Sequence, residues 1–315
     1  MAALKKISMI GSGNVGSTAG QKIAENDLSE ELVFIDVVEG LPQGRALDML
    51  ESSPIEGFTT SITGSNDYSS ISQSDLIVVT AGLARKPGMT RSDLLDKNAS
   101  ILSDVSQNIR KYAPEAVVIV VTNPMDVMTY LVYKKTGFQK NRVVGMAGVL
   151  DTARFRTFVG MELGIHSSQV TGFVIGGHGP SMVPVISSAA AGGIPLTQLI
   201  SKERLESIIQ RTRMGGDEIV NLLKTGSAFY APASSIYEMA RSIALDQKKI
   251  LPCSAYLDGE FGIRDVYTGV PVVLGRKGVE RIVELKLTEE EAKALQGSAD
   301  AVKKDIELLR EHGYI

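Results

Sequence analysis

Histidine is scarce in this chain, so the candidates for acid–base chemistry near neutral pH are few. The 315 residues contain three histidines, His166, His178 and His312. His178 lies in a Gly-Gly-His-Gly run at positions 176–179, where the glycines leave the imidazole exposed and let other groups approach it closely. An isolated histidine is more often a satisfied core residue than a catalyst, and that alternative remains open here. The other two histidines have no such setting.

Two charged clusters could act on an anionic substrate. Asp151 and Arg154 lie at the predicted start of a helix, where Asp151 could equally serve as an N-cap or first-turn acid. A basic loop at 85–91 contains Arg85 and Arg91 and follows a predicted strand, at the sheet edge where α/β proteins bind ligands. The plain alternative for this loop is a solvated basic surface.

A glycine motif near the N-terminus indicates a dinucleotide site. It has the pattern G-x-G-x-x-G between a predicted strand and a predicted helix, and it consists of Gly11, Ser12, Gly13, Asn14, Val15 and Gly16. These glycines allow a tight turn, close approach of a pyrophosphate and close helix–strand packing. Asp36 ends the second predicted strand and could accept hydrogen bonds from the adenine ribose while repelling a 2′-phosphate. The combination favours NAD over NADP, although the glycines alone could form a structural turn and Asp36 could be a solvated acid.

The first half of the chain alternates short apolar runs with longer amphipathic segments. This alternation predicts a doubly wound α/β domain of the Rossmann type with a buried parallel sheet. The predicted strands are Lys6–Ile10, Leu32–Ile35, Leu76–Thr80, Ala116–Val121 and Val143–Val144. The predicted helices are Val15–Glu25, Leu41–Glu51, Ser92–Tyr112 and Val127–Thr136, the last beginning near Asn123-Pro124.

The second half is less regularly interleaved and is predicted to be an α+β substrate domain. The predicted strands are Val170–Ile175, Val183–Ser187, Ile250–Ala255, Val270–Leu274 and Val279–Leu285, and the predicted helices are Thr152–Leu163, about Glu203–Lys224 and Ser234–Leu245. Gly275–Gly278 reads as a hairpin turn, and Thr288–Glu291 reads as a capping box that opens a last helix towards Leu309. We expect a cofactor domain over 1–148 and a catalytic domain over 149–315.

Composition excludes several classes of protein. The formal net charge is −3, with none of the basic surplus typical of nucleic-acid binding. The one cysteine, Cys253, excludes an internal disulfide framework and a thiolate metal cluster within one chain. No apolar run approaches the roughly 18 residues that a membrane span needs. We therefore expect a cytoplasmic protein with no metal, no nucleic acid and no membrane partner.

Several motifs in the right order resemble the lactate/malate dehydrogenase family, and the match runs from Lys6 to the last helix. Those motifs are the glycine turn, Asp36, the loop ending at Arg91, Val121-Thr122-Asn123-Pro124, Asp151 with Arg154, the His178 run and Tyr230-Ala231-Pro232-Ala233. The resemblance implies NAD as cofactor and a homo-oligomer, either dimer or tetramer. It is strongest to the lactate-dehydrogenase-like malate dehydrogenases of bacteria.

The resemblance also implies a role for each site residue. His178 would be the general base, and Asp151 would hold its other ring nitrogen. Arg154 would bind the substrate carboxylate and Arg91 would polarise the reacting carbonyl. Asn123 would contact substrate and nicotinamide, and further cofactor contacts would come from Asn98, Val121 and Thr122.

The resemblance assigns substrate choice to Arg85. A second guanidinium suits a dicarboxylic 2-hydroxy or 2-oxo acid, because a neutral methyl group would leave the buried charge unpaired. Malate and oxaloacetate, a couple of the tricarboxylic acid cycle, are therefore favoured, and lactate or another 2-hydroxy acid is the alternative. The chain departs from the family at Pro180-Ser181, where relatives carry an aspartate followed by threonine or serine.

Overall fold

A computed structural model describes residues 4–83 and 91–315 of the chain. The first half contains six strands and four helices within these ranges. They are β1 (Leu4–Ile10), α1 (Asn14–Glu25), β2 (Ser29–Ile35), α2 (Leu41–Glu56), β3 (Ser61–Ser65), β4 (Leu76–Val79), α3 (Arg91–Tyr112), β5 (Val117–Val120), α4 (Met125–Thr136) and β6 (Val143–Gly145). Among the described residues, no helix has the length and apolar content needed to cross a bilayer.

The six strands form a parallel sheet in the order β3-β2-β1-β4-β5-β6. The chain moves outward from β1 through α1 and α2, then crosses to β4 and moves the other way through α3 and α4. Because such crossovers are right-handed, these two directions put the helices on opposite faces of the sheet. The structure thus confirms the doubly wound prediction, and the order reverses between β1 and β4, where ligands bind in such sheets.

One strand of this sheet escaped the sequence prediction. The segment Ser61–Ser65 forms β3 at the sheet edge, paired with β2, whereas no strand is predicted there from the sequence. Its sequence, Ser-Ile-Thr-Gly-Ser, contains one apolar residue, Ile62, and this side chain is buried. An edge strand needs less apolar surface than a central one, so it lacks the continuous apolar run that reveals its neighbours.

The second half adds a smaller α+β region and extends the same sheet. Its elements are α5 (Gly148–Leu163), β7 (Val170–Thr171), β8 (Val174–Ile175), β9 (Val183–Pro184), β10 (Ala190–Ala191), β11 (Ile194–Pro195), α6 (Leu196–Leu199), α7 (Lys202–Leu223), α8 (Tyr230–Ala244), β12 (Lys249–Asp258), β13 (Arg264–Gly275), β14 (Gly278–Ile282) and α9 (Glu289–Glu311). β12, β13 and β14 are antiparallel and join the sheet beyond β6. The predicted strand Val170–Ile175 is split into β7 and β8.

Two local predictions in this half, the hairpin turn and the capping box, are confirmed. The turn between β13 and β14 has Arg276 and Lys277 at its tip. The Thr288 hydroxyl accepts a hydrogen bond from the Glu291 N–H, and the Glu291 carboxylate accepts one from the Thr288 N–H, which is the predicted capping box. The helix predicted from Ser234 instead begins at Tyr230, and α4 begins at Met125 with Pro124 as its N-cap residue.

Candidate active site

The glycine turn between β1 and α1 is as tight as its sequence suggests. Gly11 has φ of 107°, and a Cβ there would lie 2.6 Å from the backbone nitrogen of Ala81. A Cβ on Gly16 would lie 2.0 Å from the carbonyl oxygen of Gly11, so α1 approaches the turn too closely for any side chain at this position. Gly13, in contrast, faces open space and caps α1 without any side-chain hydrogen bond. The first-turn N–H groups of α1, at Asn14 and Val15, have no intrahelical acceptor and are therefore suited to a pyrophosphate.

Asp36 lies beside this turn at the end of β2. Its Oδ2 accepts a hydrogen bond from the Ser12 backbone N–H at 2.8 Å, and its Oδ1 accepts one from Val38 at 3.0 Å. These bonds hold the carboxylate next to the glycine turn, where it can accept hydrogen bonds from a ribose with two free hydroxyls. The residues present therefore fit a bound NAD: an open anion site at the helix terminus and a carboxylate next to it.

The C-terminal ends of β4 and β5 bring the remaining predicted cofactor residues together. The Thr122 hydroxyl donates to the carbonyl oxygen of Ala81 at 2.5 Å, and the Val121 N–H donates to Val79 at 2.9 Å. Asn98, fully buried on α3, bonds to the Leu83 backbone and donates to the carbonyl oxygen of Asn123 at 2.6 Å. Asn98 thus holds two backbone segments in place, and a direct cofactor contact by its side chain stays a prediction.

His178, Asp151 and Arg154 form one hydrogen-bonded cluster. The Asp151 carboxylate is buried, with Oδ2 2.7 Å from His178 Nδ1 and Oδ1 accepting from Arg154 Nη1 at 3.2 Å. Because Asp151 engages Nδ1, Nε2 is the ring nitrogen available to a reacting group. Arg154 Nε is buried without a hydrogen-bond partner among the described residues, so the guanidinium retains donor capacity for an anion.

The electrostatics of His178 follow from the same neighbours. Burial disfavours the charged imidazolium and lowers the pKa, but attraction to Asp151, the hydrogen bond to Asp151 and attraction to Asp126 outweigh it. Arg154 opposes them by repulsion, and the net pKa of His178 lies above its ordinary value. The imidazolium is therefore better supported here than in water, as a proton donor and acceptor near neutral pH requires.

Near His178 the chain opens into a cavity of about 400 Å³, large enough for a small organic acid. Asn123, Asp126, His178 and the α9 residues Val302 and Asp305 line it, whereas Arg154 does not. Arg85 lies outside the described residues. Arg91 opens α3, but its side chain lies outside the description as well. Within 4–83 and 91–315, no group of three or more His, Cys, Asp or Glu is arranged to hold a metal ion.

The other two histidines have local partners. His166 caps a short 3₁₀ turn, and its Nδ1 is 2.7 Å from the hydroxyl of Ser168. His312 Nδ1 is 2.6 Å from Asp96 Oδ1, which joins the C-terminal tail to α3. Neither lines the cavity beside His178.

The Pro180 departure has a simple geometric setting. Gly179 accepts a hydrogen bond from Met182 N–H at 3.0 Å, which closes a four-residue turn with Pro180 at its second position. Proline favours that position because its φ is already set for the turn. The turn's hydrogen bond does not use the N–H of its second residue, so the missing N–H of Pro180 does not weaken it. Ser181 Oγ accepts a hydrogen bond from Ser298 Oγ at 2.9 Å.

Sequence reasoning missed the residues that hold the His178 loop. Asp126 on α4, Ser254 on β12 and Ser298 on α9 all contact this loop or each other. Asp126 follows Asn123-Pro124 and resembles an ordinary first-turn acid in sequence, so its burial could not be read locally. The two serines have no distinguishing neighbours at all.

Family models match both halves of the chain. The model for the lactate/malate dehydrogenase NAD binding domain matches residues 5–145, and the model for the lactate/malate dehydrogenase alpha/beta C-terminal domain matches residues 148–312. A malate dehydrogenase from Chlorobium limicola is 53% identical over 305 residues, which are 97% of this chain and 98% of that protein. Another from Bacillus cytotoxicus is 52% identical over 307 residues, again 97% and 98% of the two chains.

Solved structures agree with these relatives. A malate dehydrogenase from Cryptosporidium parvum superimposes with a TM-score of 0.95 at 43% identity, covering 99% of this chain and 100% of that one. A lactate dehydrogenase from the same organism, complexed with lactic acid and nicotinamide adenine dinucleotide, gives 0.94 at 42% identity over 98% and 99%. The resemblance seen in the motifs is confirmed, and the chain belongs to the lactate/malate dehydrogenase family.

Proposed function

We propose that this chain catalyses the reversible, NAD-dependent oxidation of (S)-malate to oxaloacetate. The observation that carries the proposal is the division of the Asp151 carboxylate between His178 and Arg154. One acid thereby aligns a proton acceptor and a carboxylate-binding guanidinium, in a chain whose glycine turn and Asp36 fit NAD. Full-length similarity to malate dehydrogenases supports the choice of reaction.

The cofactor supplies the redox chemistry when bound, by accepting a hydride from the alcohol carbon. Gly11, Ser12, Gly13, Asn14, Val15 and Gly16 would hold its pyrophosphate, Asp36 its adenine ribose, and Asn98, Val121, Thr122 and Asn123 the nicotinamide end. His178 accepts the hydroxyl proton at Nε2 during oxidation and returns it during reduction. Asp151 keeps Nδ1 protonated, which fixes the tautomer and supports the imidazolium.

Three arginines would bind and polarise the substrate. Arg154 pairs with the carboxylate next to the reacting carbon, since a guanidinium can donate two parallel hydrogen bonds. Arg91 would polarise the carbonyl oxygen on which negative charge develops. Arg85 would pair with the second carboxylate of malate, and Asn123 lines the cavity beside His178, where it can contact both substrate and cofactor.

Lactate is the second candidate substrate, because the chain is also similar to a lactate dehydrogenase that was solved with lactic acid bound. Assays of oxaloacetate and of pyruvate, each with NADH and with NADPH, distinguish the two candidate substrates by the loss of absorbance of the reduced cofactor. We expect fast turnover of oxaloacetate with NADH and much slower turnover of pyruvate. Comparable rates on both would contradict the malate assignment, and NADH binding without turnover of either would contradict the enzyme assignment.

Arg85→Gln tests the substrate choice directly. Removing the second guanidinium should lower kcat/KM for oxaloacetate and raise the relative rate on pyruvate, a combined shift of at least about tenfold. Lys86→Gln is the matched control, since it removes one positive charge from the neighbouring position of the same loop. An unchanged ratio of the two rates in Arg85→Gln would show that specificity lies elsewhere.

The wider organisation is proposed on the same basis. The two family-model matches support a cofactor domain over 1–148 and a catalytic domain over 149–315. A homo-oligomer, dimer or tetramer, is supported by apolar side chains exposed on α2, with Leu47 at 58% and Ile55 at 86% of full exposure. Sedimentation of the purified protein tests the oligomer, and fractionation of cells tests the cytoplasmic location.

A further inference from the structure

A second carboxylate, Asp126, contacts the loop that carries His178. It lies in the first turn of α4 and is 4% exposed. Its Oδ2 accepts a hydrogen bond from the backbone N–H of His178 at 2.7 Å, and its Oδ1 accepts one from the Ser254 hydroxyl at 2.6 Å. A single side chain therefore joins α4, β12 and the histidine loop.

The burial of this acid is costly, and these donors offset only part of the cost. Loss of solvent raises the pKa of Asp126, while the Ser254 hydroxyl, the His178 N–H and the His178 charge act to lower it. The net direction is upward. A buried carboxylate is retained only where its hydrogen bonds are satisfied, so the contacts to His178 and Ser254 belong together.

The rest of the loop is tied down on both sides of His178. Gly176 exchanges backbone hydrogen bonds with Gly269 on β13, at 2.7 and 3.0 Å. The Gly177 N–H donates to Ser298 Oγ on α9 at 2.8 Å. Asp126 holds the next N–H along, so consecutive backbone donors at 176, 177 and 178 are each bound by a different element. The position of the His178 main chain is thus held by contacts separate from the one between its ring and Asp151.

Charged groups face His178 from three helices. Asp151 and Arg154 come from α5 and Asp126 from α4, while Asp305 of α9 lines the same cavity. Among these groups, Asp126 is the acid bonded to the main chain of His178, and Asp151 is the acid bonded to its ring. Both carboxylates attract the imidazolium. Removing the charge of Asp126 should therefore change the protonation of His178 while Asp151, the partner of its ring, stays in place.

We propose that Asp126 is a positioning residue for proton transfer: its carboxylate fixes the main chain of His178, and its negative charge supports the imidazolium. The inference rests on the proposed function, in which His178 exchanges a proton with the substrate. Asp126 itself bonds to the backbone of His178, so it acts through that residue.

Asp126→Asn tests the charge while keeping the shape. The amide oxygen can still accept from His178 N–H, and the amide nitrogen can donate to Ser254 Oγ. Loss of the negative charge should move the titration of His178 to lower pH. In oxaloacetate reduction, which needs the imidazolium, kcat/KM should consequently fall at lower pH than in the parent. At pH values above this fall, kcat/KM of the variant should be at least about tenfold lower than that of the parent. At pH values below it, the two should agree within about threefold.

The titration can also be read without turnover. The chain has three histidines, so ¹³C-labelled imidazole signals are few, and His178→Asn assigns the one of interest. In Asp126→Asn the His178 signal should titrate at lower pH, whereas His166 and His312 should be unaffected and serve as internal controls. Asp48→Asn, an exposed acid on α2, is the control for net charge and should shift none of them.

Ser254→Ala provides a milder second variant if Asp126→Asn folds poorly, which circular dichroism and NADH binding would reveal. Because the Ser254 hydroxyl acts to lower the pKa of Asp126, its loss should leave less negative charge beside His178 and shift the His178 titration in the same direction by a smaller amount. Normal parent turnover together with an unshifted His178 titration in both variants would overturn the inference. Absence of parent turnover on both oxo acids would instead contradict the proposed function.

Discussion

At the scale of single residues, Asp151 links the proposed base to the proposed carboxylate-binding group. Its side chain is 1% exposed, and each oxygen has a different partner, His178 or Arg154. Replacing it with asparagine keeps the size but removes the charge and allows an N–H to face His178 Nδ1. That contact favours the wrong tautomer, because Nδ1 must then accept and Nε2 carries the proton.

Asp151→Asn should therefore lower kcat for malate oxidation by a factor on the order of 10³. Loss of the largest attraction to the imidazolium should also move the His178 titration to lower pH. As pH rises, the rate of oxaloacetate reduction should therefore begin to fall at a lower pH than in the parent. Steady-state kinetics across pH check both effects, and NADH binding should be unchanged. A variant with near-parent kcat would show that Asp151 is no more than a structural acid.

Residues at the site differ in how far sequence alone could find them. His178, Asp151 and Arg154 were predicted because glycines, a helix start and a known family order surround them. Asp126 was not, because a first-turn acid in sequence is ordinary and its burial depends on β12 and the histidine loop packing over α4. Local signals identify a residue type, but only the packing of distant segments determines its partners.

At the scale of elements, α7 contains a pair of glycines that would normally weaken a helix. A Cβ at Gly215 would lie 3.0 Å from Arg154 Cδ, while one at Gly216 would lie 3.7 Å from Arg154 Nη2. The first distance forces the arginine to move by a few tenths of an ångström, and the second is an ordinary contact. Since Arg154 is also bound to Asp151, it has little freedom to yield.

Gly215→Ala should consequently raise KM for oxaloacetate by up to about tenfold through displacement of Arg154. Gly216→Ala is the matched control. The same change one residue away brings the same gain in helix propensity, about 0.5–1 kcal/mol, without the close contact to Arg154. Steady-state kinetics and thermal unfolding of both variants separate the two effects. Equal KM values in the two variants would mean that Gly215 does not set the position of Arg154.

Elements were predicted best where their signal is continuous. The central strands β4 and β5 and the capped helix α9 appear close to their expected bounds, since apolar runs and a capping box are local features. β3 was missed because an edge strand with one buried apolar side chain has no such run. The split of Val170–Ile175 into β7 and β8 was missed because the two pieces pair with different strands.

At the scale of the whole molecule, the sheet does not stop where the two predicted domains meet. β12 pairs with β6 through Ser254 and Gly145, and β13 and β14 continue the sheet outward. Helices of the two halves also pack against each other across the boundary near residue 148. α1 packs on α8, and α4 packs on both α9 and β13. One hydrophobic core accordingly contains Leu4 and Leu309, near the two ends of the described chain. Sequence motifs predicted a cofactor region and a catalytic region but could not show this shared core.

A shared core predicts shared unfolding. Native-state hydrogen exchange should give β5, in the first half, and β13, in the second, the same free energy of opening and the same denaturant dependence, because neither can expose its face while the other stays packed. The proposed site has the same requirement, since Asp126 comes from α4 and His178 from the second half. Mass spectrometry of peptides covering the two strands measures this. Opening of β12–β14 at markedly lower free energy, with β1–β6 still protected, would mean that the halves unfold separately and that the histidine loop can detach from α4 while the cofactor site remains intact.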